Sequence, residues 1–207
     1  MIEAICNSLT KKIIKSVDGY DENKADEINF GLQLLIGEVP KFFITFILAW
    51  ILNIIDLTII SFIVILPYRM FSGGFHLRTH LGCIIATNTM YIGSAYLASI
   101  LNFDNTIKYI LIAITFIFSF AMIAKYAPAD TEDVPILRKK ERSIKKNLSY
   151  ITMTLTLVAS IIVKDTVLSN LLIFLTIFQT IWISKFTYKI TNNKYGYEEY
   201  VKLKNVT

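Results

Sequence analysis

Five stretches of this chain, roughly 30–55, 81–101, 107–124, 148–163 and 167–184, are apolar enough to cross a lipid bilayer. A helix needs about 20 such residues to span a hydrocarbon core about 30 Å thick. In lipid every backbone N–H and C=O must find its partner inside the protein, so segments like these fold as helices packed on each other and on lipid. Hydrophobic residues make up 54% of the 207 positions and charged residues only 18%, against about 25% charged in a soluble domain. An ordinary soluble enzyme, a disordered chain and a low-complexity repeat are excluded on these grounds. Two cysteines, Cys6 and Cys83, are too few for a disulfide-stapled secreted scaffold. The net charge of +5 is not gathered on a soluble basic face, so no nucleic-acid partner is expected. The partner that composition demands is the bilayer itself.

Basic residues then report orientation. The region 42–68 reads either as one overlong crossing or as two crossings turning at Asn53-Ile54-Ile55-Asp56. With two crossings, 19 of the 21 lysines and arginines fall on one side, leaving Lys108 and Lys164 on the other. A single crossing would strand the seven basic residues of 125–147 on the wrong side. The expectation is therefore an all-α polytopic membrane protein with six transmembrane helices and both termini cytoplasmic. The first crossing carries Glu38 and Lys41, close enough on a helix to neutralise each other.

Residues 1–17 set Ile2, Ile5, Cys6, Leu9, Ile13 and Val17 on one helical side and Glu3, Asn7, Thr10, Lys11 and Lys15 largely on the other. This predicts an amphipathic helix over 1–20, lying on the membrane surface or packed on the protein's own loops. The start lacks the basic-then-apolar pattern of a cleaved signal peptide. The whole of 1–207 reads as one integral membrane domain, with a basic cytoplasmic loop at 125–147.

The segment 69–83, Arg69-Met70-Phe71-Ser72-Gly73-Gly74-Phe75-His76-Leu77-Arg78-Thr79-His80-Leu81-Gly82-Cys83, holds both histidines of the chain and its Gly-Gly pair. Nucleophilic cysteine chemistry runs through the thiolate, which a neighbouring imidazole helps to form. On one continuous helix His76 and Cys83 share a face but lie about 10 Å apart along the axis, too far for a hydrogen bond. A turn at Gly73-Gly74 removes that obstacle, because glycine tolerates it and leaves N–H groups accessible to an oxyanion. His80, three before Cys83, is the rival base on spacing alone. Two other readings stand beside this one: a plain helix cysteine with histidines at headgroup level, and a zinc site on His76, His80 and Cys83 that lacks a fourth ligand.

The run Arg-x-x-x-Gly-Gly-x-His, then six residues and Cys, ahead of an apolar helix, resembles the accessory gene regulator protein B (AgrB) family. So do the chain length, the multiple spans and Tyr126-Ala127-Pro128-Ala129-Asp130 after the fourth span. The resemblance implies a membrane cysteine endopeptidase of Gram-positive quorum sensing, without a cofactor or metal. It implies Cys83 as nucleophile and His76 as base, with Arg69, Gly73 and Gly74 as supporting positions. His80 has no counterpart in the family pattern, and the resemblance carries nothing over to the tail from Lys185.

The implied substrate is a short precursor of the accessory gene regulator D type, with an amphipathic leader and an acidic C-terminal part. Cys83 takes the acyl group as a thioester, and a cysteine or serine of the peptide closes a thiolactone or lactone ring. Homodimer formation is a further implication of the family. Arg69, Arg78, Arg138, Lys139, Lys140, Arg142, Lys145 and Lys146 are the basic residues available to the precursor's carboxylates, or to anionic lipid. Asp130, Ser72 and Thr79 are candidates to orient His76. The alternative from another class is a non-enzymatic peptide transporter or export channel, lined by the polar residues Gln33, Asn88 and Gln179.

Overall fold

The computed structural model describes residues 2–16, 22–77, 79–132 and 134–204. Arg78 lies outside the described residues, as do the side chains of Gln33, Glu38 and His80. The described residues form helices and no strand: α1 (Ile2–Ser16), α2 (Glu22–Ile51), α3 (Ile55–Ser72), α4 (His80–Ile100), α5 (Asn105–Tyr126), α6 (Lys139–Ile162), α7 (Thr166–Trp182), α8 (Lys185–Ile190) and α9 (Gly196–Lys204). Three of them, α3, α4 and α5, are long and apolar enough to cross a membrane. The segment Val39–Ile51 of α2 and the whole of α7 are apolar but shorter.

The chain divides into two compact units, Met1–Ile47 and Leu48–Thr207. In the first, Asn29 donates from Nδ2 to Asn7 Oδ1 at 2.5 Å, tying α2 to α1. Cys6 and Thr10 of α1 are buried, while Ile5, Leu9 and Ile13 are exposed. Lys41 of α2 is buried.

The second unit begins with the break that the Asn53–Asp56 sequence predicts. Ile54 N–H reaches back to the Ala49 carbonyl at 2.9 Å, and Asn53 takes φ 56°, a left-handed conformation that asparagine accepts more readily than most residues. From there α3 to α6 surround α7, which packs against each of them. Leu171, Ile173 and Leu175 of α7 are almost wholly buried, against partners that include Ile65, Met90, Ile123 and Met153 of the same core. The outer faces remain apolar, with Ile63, Leu66, Ile85, Ile114, Ile117 and Leu155 all exposed. A stripe of that kind on several helices is the surface a bilayer covers.

Because α7 is buried, its polar side chains must find partners inside the bundle, and they tie other helices together. Asn170 donates to Leu101 O at the end of α4 (2.8 Å), and Ser169 to Ser160 O of α6 (2.6 Å). Thr180 Oγ1 meets both Tyr68 Oη of α3 (2.9 Å) and Ser119 Oγ of α5 (2.8 Å).

The basic stretch 125–147 is only partly a loop. Helix α5 runs to Tyr126 and α6 begins at Lys139, so the crossing expected at 148–163 is the second part of a longer helix. Lysine, arginine and glutamate are good helix formers, and Glu141 pairs with Lys145 one turn on at 3.2 Å. The tail from Lys185 is likewise helical in part, forming α8 and α9.

Candidate active site

Helix α3 ends because of its two glycines. Gly73 N–H closes the helix on Arg69 O (3.1 Å), then the chain takes φ 74° and ψ −149° at Gly73 and φ 141° at Gly74. Both φ values lie where a side chain is strained. Space forbids one as well: a Cβ on Gly73 would collide with the Ala129 carbonyl, and one on Gly74 with the Arg69 guanidinium. These close approaches form a short parallel bridge between Gly73 and Ala129, in which Gly74 N–H donates to Ala129 O and Ala129 N–H to Ser72 O, each at 2.8 Å.

The link that follows is held by its carbonyls. Gly73 O accepts from Arg69 Nη1 (3.1 Å) and from Gln179 Nε2 (2.8 Å). Phe75 O accepts from Arg69 Nη2 (3.0 Å), and His76 O from Asn193 Nδ2 (2.8 Å). The Phe75 ring is buried edge-on against Trp182 at 5.0 Å, and the Arg69 guanidinium lies 5.3 Å from the centre of the same indole. Residues 73–77 are thus non-helical, and His76 and Cys83 do not share one continuous helix.

His76 is exposed, while Cys83 is half-buried in the first turn of α4, its N–H bonded to Thr79 O at 3.0 Å. Thr79 caps that helix, its hydroxyl accepting from Gly82 N–H at 3.2 Å. Arg69 lies within electrostatic range of Cys83, Tyr91 and Tyr188. Arg69, Gly73, Gly74, His76 and Asp130 line one hollow of about 210 Å³, shared with Lys145. Cys83 is not among the described residues lining it.

Of the candidates to orient His76, Ser72 is buried and spent on Tyr68 O (2.7 Å) and Gln179 (2.8 Å), and Thr79 serves as the cap. Asp130 is the hub of the neighbouring loop. Its Oδ2 accepts from Ile136 N–H (2.8 Å), Arg142 Nη1 (2.9 Å) and Tyr197 N–H (3.1 Å), while its buried Oδ1 has no hydrogen-bond partner among the described residues. Arg142 also reaches Pro128 O (3.3 Å) and lies 4.4 Å from the centre of the Tyr197 ring. Lys146 donates to Ala124 O. With Arg69 on the link and Lys145 paired to Glu141, four members of the basic set are engaged within the chain, whereas Arg138, Lys139 and Lys140 are exposed.

Two of the polar residues expected along a transport path, Gln179 and Asn88, have side-chain amides bonded within the bundle. Gln179 is fully buried and bonded to Ser72 and Gly73, and Asn88 Nδ2 donates to Ile84 O of its own helix at 2.8 Å. Gln33 lies outside the described side chains.

The tail contributes residues that sequence reasoning passed over. Tyr188 Oη donates to Ala129 O (3.0 Å) and Asp130 O (3.1 Å), and Tyr195 Oη to Ile183 O (2.8 Å). Tyr195 stacks on Tyr188 at 4.1 Å and on Tyr126 at 5.9 Å. Burial holds the Tyr188 and Tyr195 hydroxyls well above the ordinary phenol range, so both remain donors at neutral pH. The only local signal for this is a tail unusually rich in tyrosine.

These features define a helical membrane-type protein whose Gly-Gly-x-His link and tyrosine-clamped loop converge at one end of the bundle. The chain belongs to the accessory gene regulator B (AgrB) family, whose model matches residues 6–183. It is 28% identical over 182 residues to a putative AgrB-like protein of Listeria innocua, covering 87% of each chain. A putative AgrB-like protein of Clostridium acetobutylicum is 26% identical over 82% of this chain and 79% of its own. An accessory gene regulator protein B of Staphylococcus intermedius is 28% identical over 66% of this chain and 70% of its own. No solved structure matches the chain.

Proposed function

We propose that this protein is a membrane cysteine endopeptidase that cleaves a short precursor of the accessory gene regulator D type and promotes its cyclisation to an autoinducing peptide. The observation that carries the reading is the non-helical link opened by Gly73-Gly74, which takes His76 off the axis of α4 just ahead of Cys83. The position of Cys83 in the first turn of α4, at the N-terminal end of a helix, supports it.

In this reading the Cys83 sulfur attacks the scissile carbonyl carbon, and His76 takes the thiol proton. The tetrahedral oxyanion collapses as the C–N bond breaks, and the imidazolium returns the proton to the leaving amine. The C-terminal fragment departs, and the rest of the peptide stays on Cys83 as a thioester. A thiol or hydroxyl within the peptide then attacks that carbonyl, closing the ring and freeing Cys83. No water is consumed, so the acyl-enzyme must be kept dry, which a site at a membrane-embedded helix end favours.

The topology proposed with it has α2 to α7 as six crossings, both termini cytoplasmic and α1 at the membrane surface. It places a homodimer in the cell membrane of a Gram-positive bacterium, with the site near the cytoplasmic face. Arg138, Lys139 and Lys140 take the precursor's carboxylates, each exposed pair worth about 0.2–1 kcal/mol.

Alkylation of the purified protein with iodoacetamide tests the site without a known substrate, following Cys83 and Cys6 separately by mass spectrometry. Cys83 is expected to react fast at neutral pH, and to slow in His76→Ala but not in His80→Ala. An unchanged rate in His76→Ala removes the thiol–imidazole pair. A peptide channel, by contrast, would keep its function in Cys83→Ala.

A further inference from the structure

The family match ends at residue 183, yet the polypeptide beyond it is built into the site. The link 73–77 has three anchored carbonyls. Gly73 O and Phe75 O are held by Arg69 and Gln179, both inside the matched region. The third, His76 O, is held by Asn193, 117 positions away and outside it. His76 is exposed and in no helix, and the Asn193 amide anchors its backbone carbonyl.

Asn193 is well placed to hold it. Its N–H donates to Tyr188 O at 2.8 Å, its Nδ2 also reaches Thr191 Oγ1 at 3.0 Å, and Asn192 before it turns the chain at φ 53°. The turn is in turn fixed to the bridge beneath the link. Tyr188 Oη donates to Ala129 O, the same oxygen that accepts Gly74 N–H.

We propose that the C-terminal segment 184–204 is a positioning element for the candidate base, with Asn193 setting the place of His76 through its carbonyl. The inference rests on the peptidase reading for what His76 does, but not for where it is held. The link is anchored from inside the matched region up to Phe75, and the tail completes it at the one residue whose side chain must meet the thiol. A displacement of about 1 Å at a reacting group costs up to about a hundredfold in rate.

The experiment uses the full-length protein in detergent with isotope-labelled histidine. The chain has only two histidines, so His76 and His80 are resolved by nuclear magnetic resonance. Asn193→Ala is expected to change the imidazole signals of His76 and leave those of His80, with the melting temperature retained. Cys83 alkylation at pH 7 is expected to fall roughly tenfold or more in the same variant. Asn193→Asp, nearly isosteric but without the donor, should behave alike and covers the case in which the alanine variant fails to fold. Asn193→Gln, which keeps an amide donor, should recover part of the rate. Unchanged His76 signals in Asn193→Ala and Asn193→Asp overturn the proposal. If His76→Ala leaves Cys83 alkylation untouched, the peptidase reading fails instead, and the histidine spectra alone decide the role of Asn193.

Discussion

The two ends of the α3–α7 bundle are closed by different means. Where α4 meets α5 and α6 meets α7, the turns are short and each helix caps itself. Asp104 accepts from Ile107 N–H and Asp165 from Leu168 N–H, both at 2.9 Å. At the other end, the link after α3, the loop after α5 and the tail after α7 hold one another through bonds between residues far apart in sequence. At the first end the caps are local, and Asn170 adds one long-range tie, to Leu101 O. The second is a constructed surface, in which glycine backbone, side chains of α3 and α7, buried tyrosines and one carboxylate hold a non-helical link and the loop beside it. The candidate chemistry lies at the second.

The comparison breaks most visibly at Asp130. Asp130→Ala leaves the N–H groups of Ile136 and Tyr197 without this acceptor and takes from the Arg142 guanidinium its carboxylate partner. A loss of about 3 kcal/mol or more is expected, read as a lowered melting temperature in detergent. Gly73→Ala follows at about 1–3 kcal/mol, from strain and the collision with Ala129 O. Gly93→Ala, in α4 with nothing within 4 Å of a new Cβ, is the control and should gain up to about 1 kcal/mol.

At the opposite end, Asp104→Ala and Asp165→Ala should each cost about 1 kcal/mol and leave Cys83 alkylation at the parental rate. A change in that rate would mean that the two ends are coupled. The smallest effect is alkaline. The Tyr188 hydroxyl ionises near pH 10 in the unfolded chain and higher in the fold, so its share of stability is intact below about pH 10 and lost as pH rises above it. Melting temperature should fall above that pH, and less steeply in Tyr188→Phe.

The self-capped end was the more legible in the sequence. Apolar runs give the helices directly, and Asn53 with Asp56 marks the break between α2 and α3, where a one-crossing reading also fails on charge. The extension of α6 back to Lys139 was hidden because a run of lysines and arginines was read as solvated loop, although such residues also favour helix. At the constructed end the Gly73-Gly74 turn was legible, since its backbone angles require glycine. The clamp was not: Tyr188 and Ala129 are 59 positions apart, and no local pattern announces their bond. The sequence offers Arg142 to a substrate carboxylate or to lipid and does not show its partner Asp130, which a loop closed only by tertiary packing brings to it.

The most direct measurement is intact-protein mass spectrometry of the protein co-expressed with short precursor peptides of the accessory gene regulator D type. The expected result is a hydroxylamine-labile adduct on Cys83 with the mass of the precursor minus its C-terminal fragment, absent from Cys83→Ala, which also releases no fragment. Continued cleavage by Cys83→Ala would contradict a thioester mechanism on this cysteine.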